Sequence, residues 1–284
     1  MKVKVHETIS GMRRLIGLPL DQRPAALRDL LQPMYAHVPV PGDPVDLHHG
    51  GGGFRVDQDD ARYGPALDRL SGIEERIESA LHRAADALAH VKLPEQVQVL
   101  LVLGNPDDSH LMTTAGGYYG MGSVPGWIYL LAWPSDEVVN RIEHCAVHEF
   151  HHQARYSNVT WDPVHVTVGE HVVAEGLAEA FVRELSGPQA MGPWSGMVTG
   201  EAFDRAYEIT TRDIWLEGMQ HTLSYVLGDT SARKFGRDPR GIPDMAGYAV
   251  GLHLVDAHLA ASGLTAAAST ALPSKEILAA TLSR

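Results

Sequence analysis

The residues of this chain most able to do chemistry stand together at His148-Glu149-Phe150-His151-His152. On a helix, side chains four residues apart lie one turn apart on the same face, so His148 and His152 project together and can hold one ion between their imidazoles. Glu149, next to the first of them, reaches the remaining coordination position. A carboxylate there can take a proton from water activated by the ion and pass it to a leaving group. Two histidines and a glutamate in this spacing are the signature of zinc hydrolases, so the cofactor implied is Zn2+.

The signature alone does not make a site. With 16 His and 16 Glu in 284 residues, a match arises by chance in roughly one shuffled chain in twenty. The next helix, Val172-Val173-Ala174-Glu175-Gly176-Leu177-Ala178-Glu179-Ala180-Phe181, raises the odds, because 22 residues separate Glu175 from His152 and leave room for a loop and a return. Glu175 is the expected third ligand. Gly176 is expected to let this helix approach the motif helix closely, and Glu179, one turn on, to accept the N–H of a ligand imidazole and fix its tautomer. A solvated helix face is the alternative for both glutamates. It is disfavoured by Val172, Val173, Leu177 and Phe181, among which a carboxylate needs a metal or an ion-pair partner.

Other histidines compete for the same role. His144, His148 and His152 form a ridge, but a straight helix spreads them over about 12 Å, too far for one ion to hold all three. His144, His151 and His171 are therefore read as packed or supporting residues. His48-His49, beside Asp57, Asp59 and Asp60, matches no calcium-loop spacing, and with Gly50 to Gly53 it reads as a solvated loop.

The elements that must position these residues follow from periodicity. Ser135 caps a helix expected over 136–156, with Asp136 and Glu137 in its first turn. Before it, Leu70, Ile73, Ile77, Leu81, Ala84 and Leu88 predict an amphipathic helix over 67–90. Val97 to Leu103 predicts a buried strand ended by Gly104-Asn105-Pro106, and Trp127 to Leu131 a second one. Gly116 to Gly122 is too glycine-rich for a regular core strand and reads as an irregular edge. Further helices are expected at 168–186, 201–227 and 245–261. This order predicts an α+β fold: a small sheet plus the motif helix, then a helical C-terminal subdomain. Residues 1–66 read as a partly helical extension with a Gly/Pro-rich loop, and residues 67–284 as the main domain.

Bulk properties narrow the partners. A formal charge of -12, from 35 acidic and 23 basic residues, offers no basic patch for a phosphate backbone, so nucleic acid is excluded as an expected partner. Cys145 is the single cysteine, so no intrachain disulfide can form. The start, Met1-Lys2-Val3-Lys4-Val5-His6-Glu7, turns polar before an apolar stretch develops, and no apolar run approaches spanning length. A cytoplasmic protein without membrane association is expected.

On His148-Glu149-x-x-His152 and Glu175-Gly176-Leu177-Ala178-Glu179, the chain resembles the gluzincins, metallopeptidases with two histidines and a glutamate on zinc. Over roughly Val97 to Leu259 it most resembles the YjaZ-like family of predicted zinc-dependent proteases, a domain-of-unknown-function family. The resemblance implies a zincin-like fold, with His148, His152 and Glu175 as ligands and Glu149 as general base. It also implies that the segment after Gly117 is an edge strand pairing with extended peptide. In the late segment Ala246 to Gly251, Tyr248 is the candidate donor to a tetrahedral oxyanion. The same segment reads equally as a closely packed helix, and His253 and His221 are other candidates for that role.

The reading reached is a zinc-dependent hydrolase, a peptidase acting on a peptide or protein substrate. The alternative is a non-catalytic metal-binding protein, chaperone-like or regulatory, that retains the fold. Glu149 separates the two, because a binding module has no use for a carboxylate at the open position.

Overall fold

The computed structural model describes residues 1–37 and 42–282. In chain order its elements are β1 (Lys2–Val5), α1 (Thr8–Ile16), α2 (Arg23–Tyr35), α3 (Pro44–Gly50), α4 (Tyr63–Arg69), α5 (Ile73–Ala87), β2 (Gln96–Leu103), β3 (Tyr118–Met121) and β4 (Trp127–Ala132). Helices α6 (Asp136–Val139), α7 (Ile142–Tyr156), α8 (Val168–Ser186), α9 (Trp194–Met197), α10 (Gly200–Arg212), α11 (Met219–Lys234), α12 (Ala246–Ser262), α13 (Ala266–Ser269) and α14 (Ser274–Leu282) follow. The result is the mixed α+β architecture expected from strands before the motif and helices after it. The chain divides into two compact units, one of Met1–Arg83 with Pro94–Phe150 and one of Ala84–Leu93 with His151–Arg284.

The first unit holds a four-stranded sheet of order β1-β2-β4-β3. β1 and β4 flank β2 in parallel, and β3 closes one edge antiparallel to β4. β2 and β4 read as continuous apolar runs, and from Val99 to Leu103 and Trp127 to Ala132 every residue is buried, as strands covered on both faces require. Residues 1–66 supply β1, whose Lys2 to Val5 pair with Gln96 to Val99. The helix expected over 67–90 is broken at Gly72, whose φ of 77° no helix can accommodate, into α4 and α5. The His48-His49 loop is corrected too. Asp43 caps and Pro44 opens a helix that both histidines complete, as the pairing of an N-cap acid with proline predicts. His48 is buried there, its Nε2 3.0 Å from the Phe54 carbonyl oxygen.

Ser135 caps the approach to the motif as expected, its hydroxyl accepting from the Val138 N–H at 3.2 Å. The helix it starts stops after one turn at Asn140, a poor helix former, so the motif stands on a separate helix, α7.

In the second unit every residue of α8 from Val168 to Val182 is buried, so it is a core helix and not an amphipathic surface one. Its neighbour is α12. A Cβ on Gly176 would collide with the backbone of Gly251 and Leu252, and one on Gly251 with the carbonyl of Val172. Gly176 thus serves the crossing of α8 with α12, and the expectation that it serves contact with the motif helix is corrected. The helix expected over 201–227 is interrupted between Arg212 and Met219. Carbonyls of Ile214 and Leu216 accept from the N–H groups of Gly169 and Val168 at 2.7 and 2.9 Å, which would otherwise be orphaned at the start of α8. Among the described residues no helix is long and apolar enough to cross a membrane.

Candidate metal centre

Helix α7 presents His148, Glu149 and His152 at 2%, 7% and 5% exposure, and α8 presents Glu175 at 6% and Glu179 at 1%. Among the described residues, one group of histidines, cysteines and acids can hold a metal ion: His148, His152 and Glu175, with one donor atom from each lying within 4.8 Å of the others. His152 Nε2 stands 3.4 Å from Glu175 Oε2. Ligand atoms at zinc distances of about 2.0–2.2 Å in a tetrahedral arrangement are roughly 3.4 Å apart, so this pair already has the spacing. Two imidazoles and one carboxylate form the donor chemistry of a catalytic zinc site, with a position to spare. The residues present fit the ion.

Glu149 is held from the sheet side. The backbone of β3 passes it so closely that a Cβ on Gly120 would lie 2.5 Å from its Cγ, and one on Gly122 would overlap its carbonyl. The glycines of this segment, taken from sequence for an irregular edge, have a specific cause. They let the edge strand touch the carboxylate next to His148. Among the described residues β3 is the edge strand of the sheet and pairs with β4, from Tyr118 opposite Ala132 to Met121 opposite Tyr129.

Beside Glu175 stands His171, one of the histidines expected to be packed or supporting residues. The structure puts its Nε2 3.8 Å from Glu175 Oε1 and its Nδ1 2.8 Å from Thr222 Oγ1. Burial pushes its imidazole down to about 4, only partly offset by the Glu175 carboxylate, so the ring is neutral at neutral pH. Its position four residues before Glu175 was the available signal, since α8 then carries both on one face. Aromatic rings adjoin: His152 stacks on Tyr156 at 5.5 Å and 7°, Tyr156 on Trp161 at 3.9 Å, and Trp161 meets His171 edge-on at 5.5 Å.

Glu179 Oε2 accepts from the Gly192 N–H and the Ser195 hydroxyl, both at 2.8 Å, anchoring the turn that opens α9. That turn carries Trp194, whose ring lies 5.2 Å from the ring of Tyr248 on the first turn of α12. His253 is exposed and packs between Phe203 and Tyr207, while His221 Nδ1 faces the Arg240 guanidinium at 3.4 Å. His151 is a packed residue, its Nε2 3.1 Å from Thr270 Oγ1 and its ring against Phe181.

The model of a family described as "Predicted Zn-dependent protease (DUF2268)" matches residues 74–279. The chain belongs to this family. Two Bacillus subtilis proteins are similar to it. YjfC is 31% identical over 211 residues, 73% of this chain and 70% of the relative. YjaZ is 30% identical over 151 residues, 52% of this chain and 54% of the relative. No solved structure matches. The cofactor is zinc, as the family and the buried group of His148, His152 and Glu175 agree.

Proposed function

We propose that the protein is a gluzincin-type peptidase with a zincin-like fold, in which His148, His152 and Glu175 hold zinc and Glu149 is the general base. The observation that carries this is the contact of Glu149 with the edge strand. A donor group for zinc, a buried carboxylate beside it, and a strand edge passing that carboxylate are the three parts that hydrolysis of an extended peptide needs.

Zinc, when bound, supplies a Lewis acid that polarises the scissile carbonyl and acidifies water. The protein's own residues do the rest. A peptide laid along the outer edge of β3 gains backbone hydrogen bonds with little demand on its side chains, which points to unstructured segments of peptides or proteins as substrates. Glu149 takes the proton of the attacking water on its carboxylate and returns it to the leaving nitrogen. Tyr248 donates its phenolic hydrogen bond to the oxyanion, and Trp194, fastened through the turn that Glu179 anchors, holds that ring.

The test is hydrolysis of an unfolded protein by the zinc-loaded chain. Cleavage that disappears on chelation and returns with one equivalent of zinc is the expected result. Absence of cleavage at full zinc occupancy, across unstructured substrates of varied sequence, would leave a metal-binding protein without turnover.

A further inference from the structure

Glu175 has two oxygens, and each faces a different imidazole. Oε2 lies 3.4 Å from His152 Nε2, and Oε1 lies 3.8 Å from His171 Nε2. The second distance is longer than a hydrogen bond, but over 3.8 Å between buried groups the pole of a ring N–H still favours charge on the oxygen it faces. A carboxylate opposite Nε2 selects the tautomer with its proton there, and the Thr222 hydroxyl, 2.8 Å from Nδ1, then donates to the other nitrogen. The ring is fixed from its side as well. Trp161 meets it edge-on, and Trp161 is itself stacked on Tyr156, which is stacked on His152. Five side chains, His152, Tyr156, Trp161, His171 and Glu175, therefore close a circuit that starts and ends on residues of the donor group.

A carboxylate can give a metal one oxygen or two. With two, the position needed by substrate is crowded, and the site drifts from four-coordinate. We infer that His171, braced by Trp161, is a positioning residue that holds Oε1 of Glu175 away from the ion so that the carboxylate donates through Oε2 alone. This rests on the zinc-site reading proposed above. His171 itself stays outside the group of three donors.

The experiment substitutes Co2+ for zinc, because its visible absorption is intense in four-coordinate sites and weak in higher-coordinate ones. Zinc affinity is measured alongside by competition with a chromophoric chelator. His171→Leu should weaken zinc binding about 10- to 100-fold and lower the cobalt absorption, while His171→Gln, which keeps an N–H on a flat group, should recover most of both. Trp161→Leu should shift the spectrum in the same direction with His171 intact. His165→Ala, at an exposed histidine paired with Glu217, should change neither. A His171→Leu protein with native circular dichroism and an unchanged cobalt spectrum would overturn the inference. If that variant does not fold, an unchanged spectrum in Trp161→Leu overturns it equally. A wild-type protein that binds neither zinc nor cobalt would instead bring down the underlying site.

Discussion

At the scale of residues, the site turns on how closely backbone may approach Glu149. Only glycine lets β3 pass at this distance, so Gly120→Ala forces a methyl group to within 2.5 Å of the Glu149 side chain. Overpacking of this kind costs typically about 1–3 kcal/mol, and the side chain can relieve part of it by moving. Displacing the proposed general base, a role that contributes about 10²–10⁴-fold, does more damage to rate than the strain does to stability. Gly120→Ala is expected to lower kcat at least about tenfold while shifting the unfolding midpoint only modestly, measured by peptide cleavage and thermal unfolding of the zinc-loaded protein. The grouping of His148 with His152, and the burial of Glu149 next to them, was legible in the sequence, because the three are neighbours on one helix and need no tertiary information. Glu175 was legible through its apolar flanks. The contact of Gly120 with Glu149 depends on which backbones meet, and spacing alone does not state that, whereas the approach of His171 to Glu175 follows from their four-residue spacing on α8.

At the scale of elements, α8 carries Glu175, the third member of the donor group, and its place is set by α12. Gly176 and Gly251 meet backbone to backbone, where ridges of side chains would hold two helices 8–10 Å apart. Two effects of opposite sign compete in Gly176→Ala. Helix propensity favours alanine by about 1 kcal/mol, whereas a methyl group against the backbone of Gly251 and Leu252 has no flexible neighbour to yield. The clash wins. Gly176→Ala is expected to destabilise the protein by about 1–3 kcal/mol and to weaken zinc binding through Glu175, as read by denaturant unfolding and chelator competition. Unchanged zinc affinity would mean that α8 is not positioned by this crossing. From sequence, α8 itself was bounded correctly at 168–186 because its cap, Thr167, and its apolar run are local. The breaks at Gly72, Asn140 and 213–218 were not, since each periodic stretch continues across its break in hydrophobicity. What ends the helix there is a positive φ, a weak former or a tertiary hydrogen bond.

At the scale of the whole molecule, an α+β architecture followed from the order of strands and helices, but the strand order did not. Parallel pairing of β1 with β2 joins residues more than ninety positions apart, and neither strand encodes its partner. Embedding groups near the sheet has a consequence for acid stability. His48 is fully enclosed, and burial pushes its pKa from 6.5 down to about 3. In the unfolded chain the ring binds a proton below about pH 6.5, and in the folded protein it does so only below about 3. Between these values the unfolded state binds more protons, so stability falls as pH falls, by up to about 1.4 kcal/mol per pH unit from this group. His48→Gln removes the titration. The stability gap between wild type and His48→Gln, measured by urea unfolding, is expected to change between pH 6.5 and 4 with the wild type losing more. A gap independent of pH would contradict the assignment.

The central claim is that this fold exists to place a proton-transferring carboxylate beside a zinc ion, and Glu149→Gln tests it most directly. The substitution is isosteric and leaves His148, His152 and Glu175 in place. Peptide hydrolysis is compared at equal, measured zinc content. The expected result is one zinc per chain in both proteins, with cleavage by the variant reduced at least about a hundredfold. Equal cleavage by the two proteins would contradict the account.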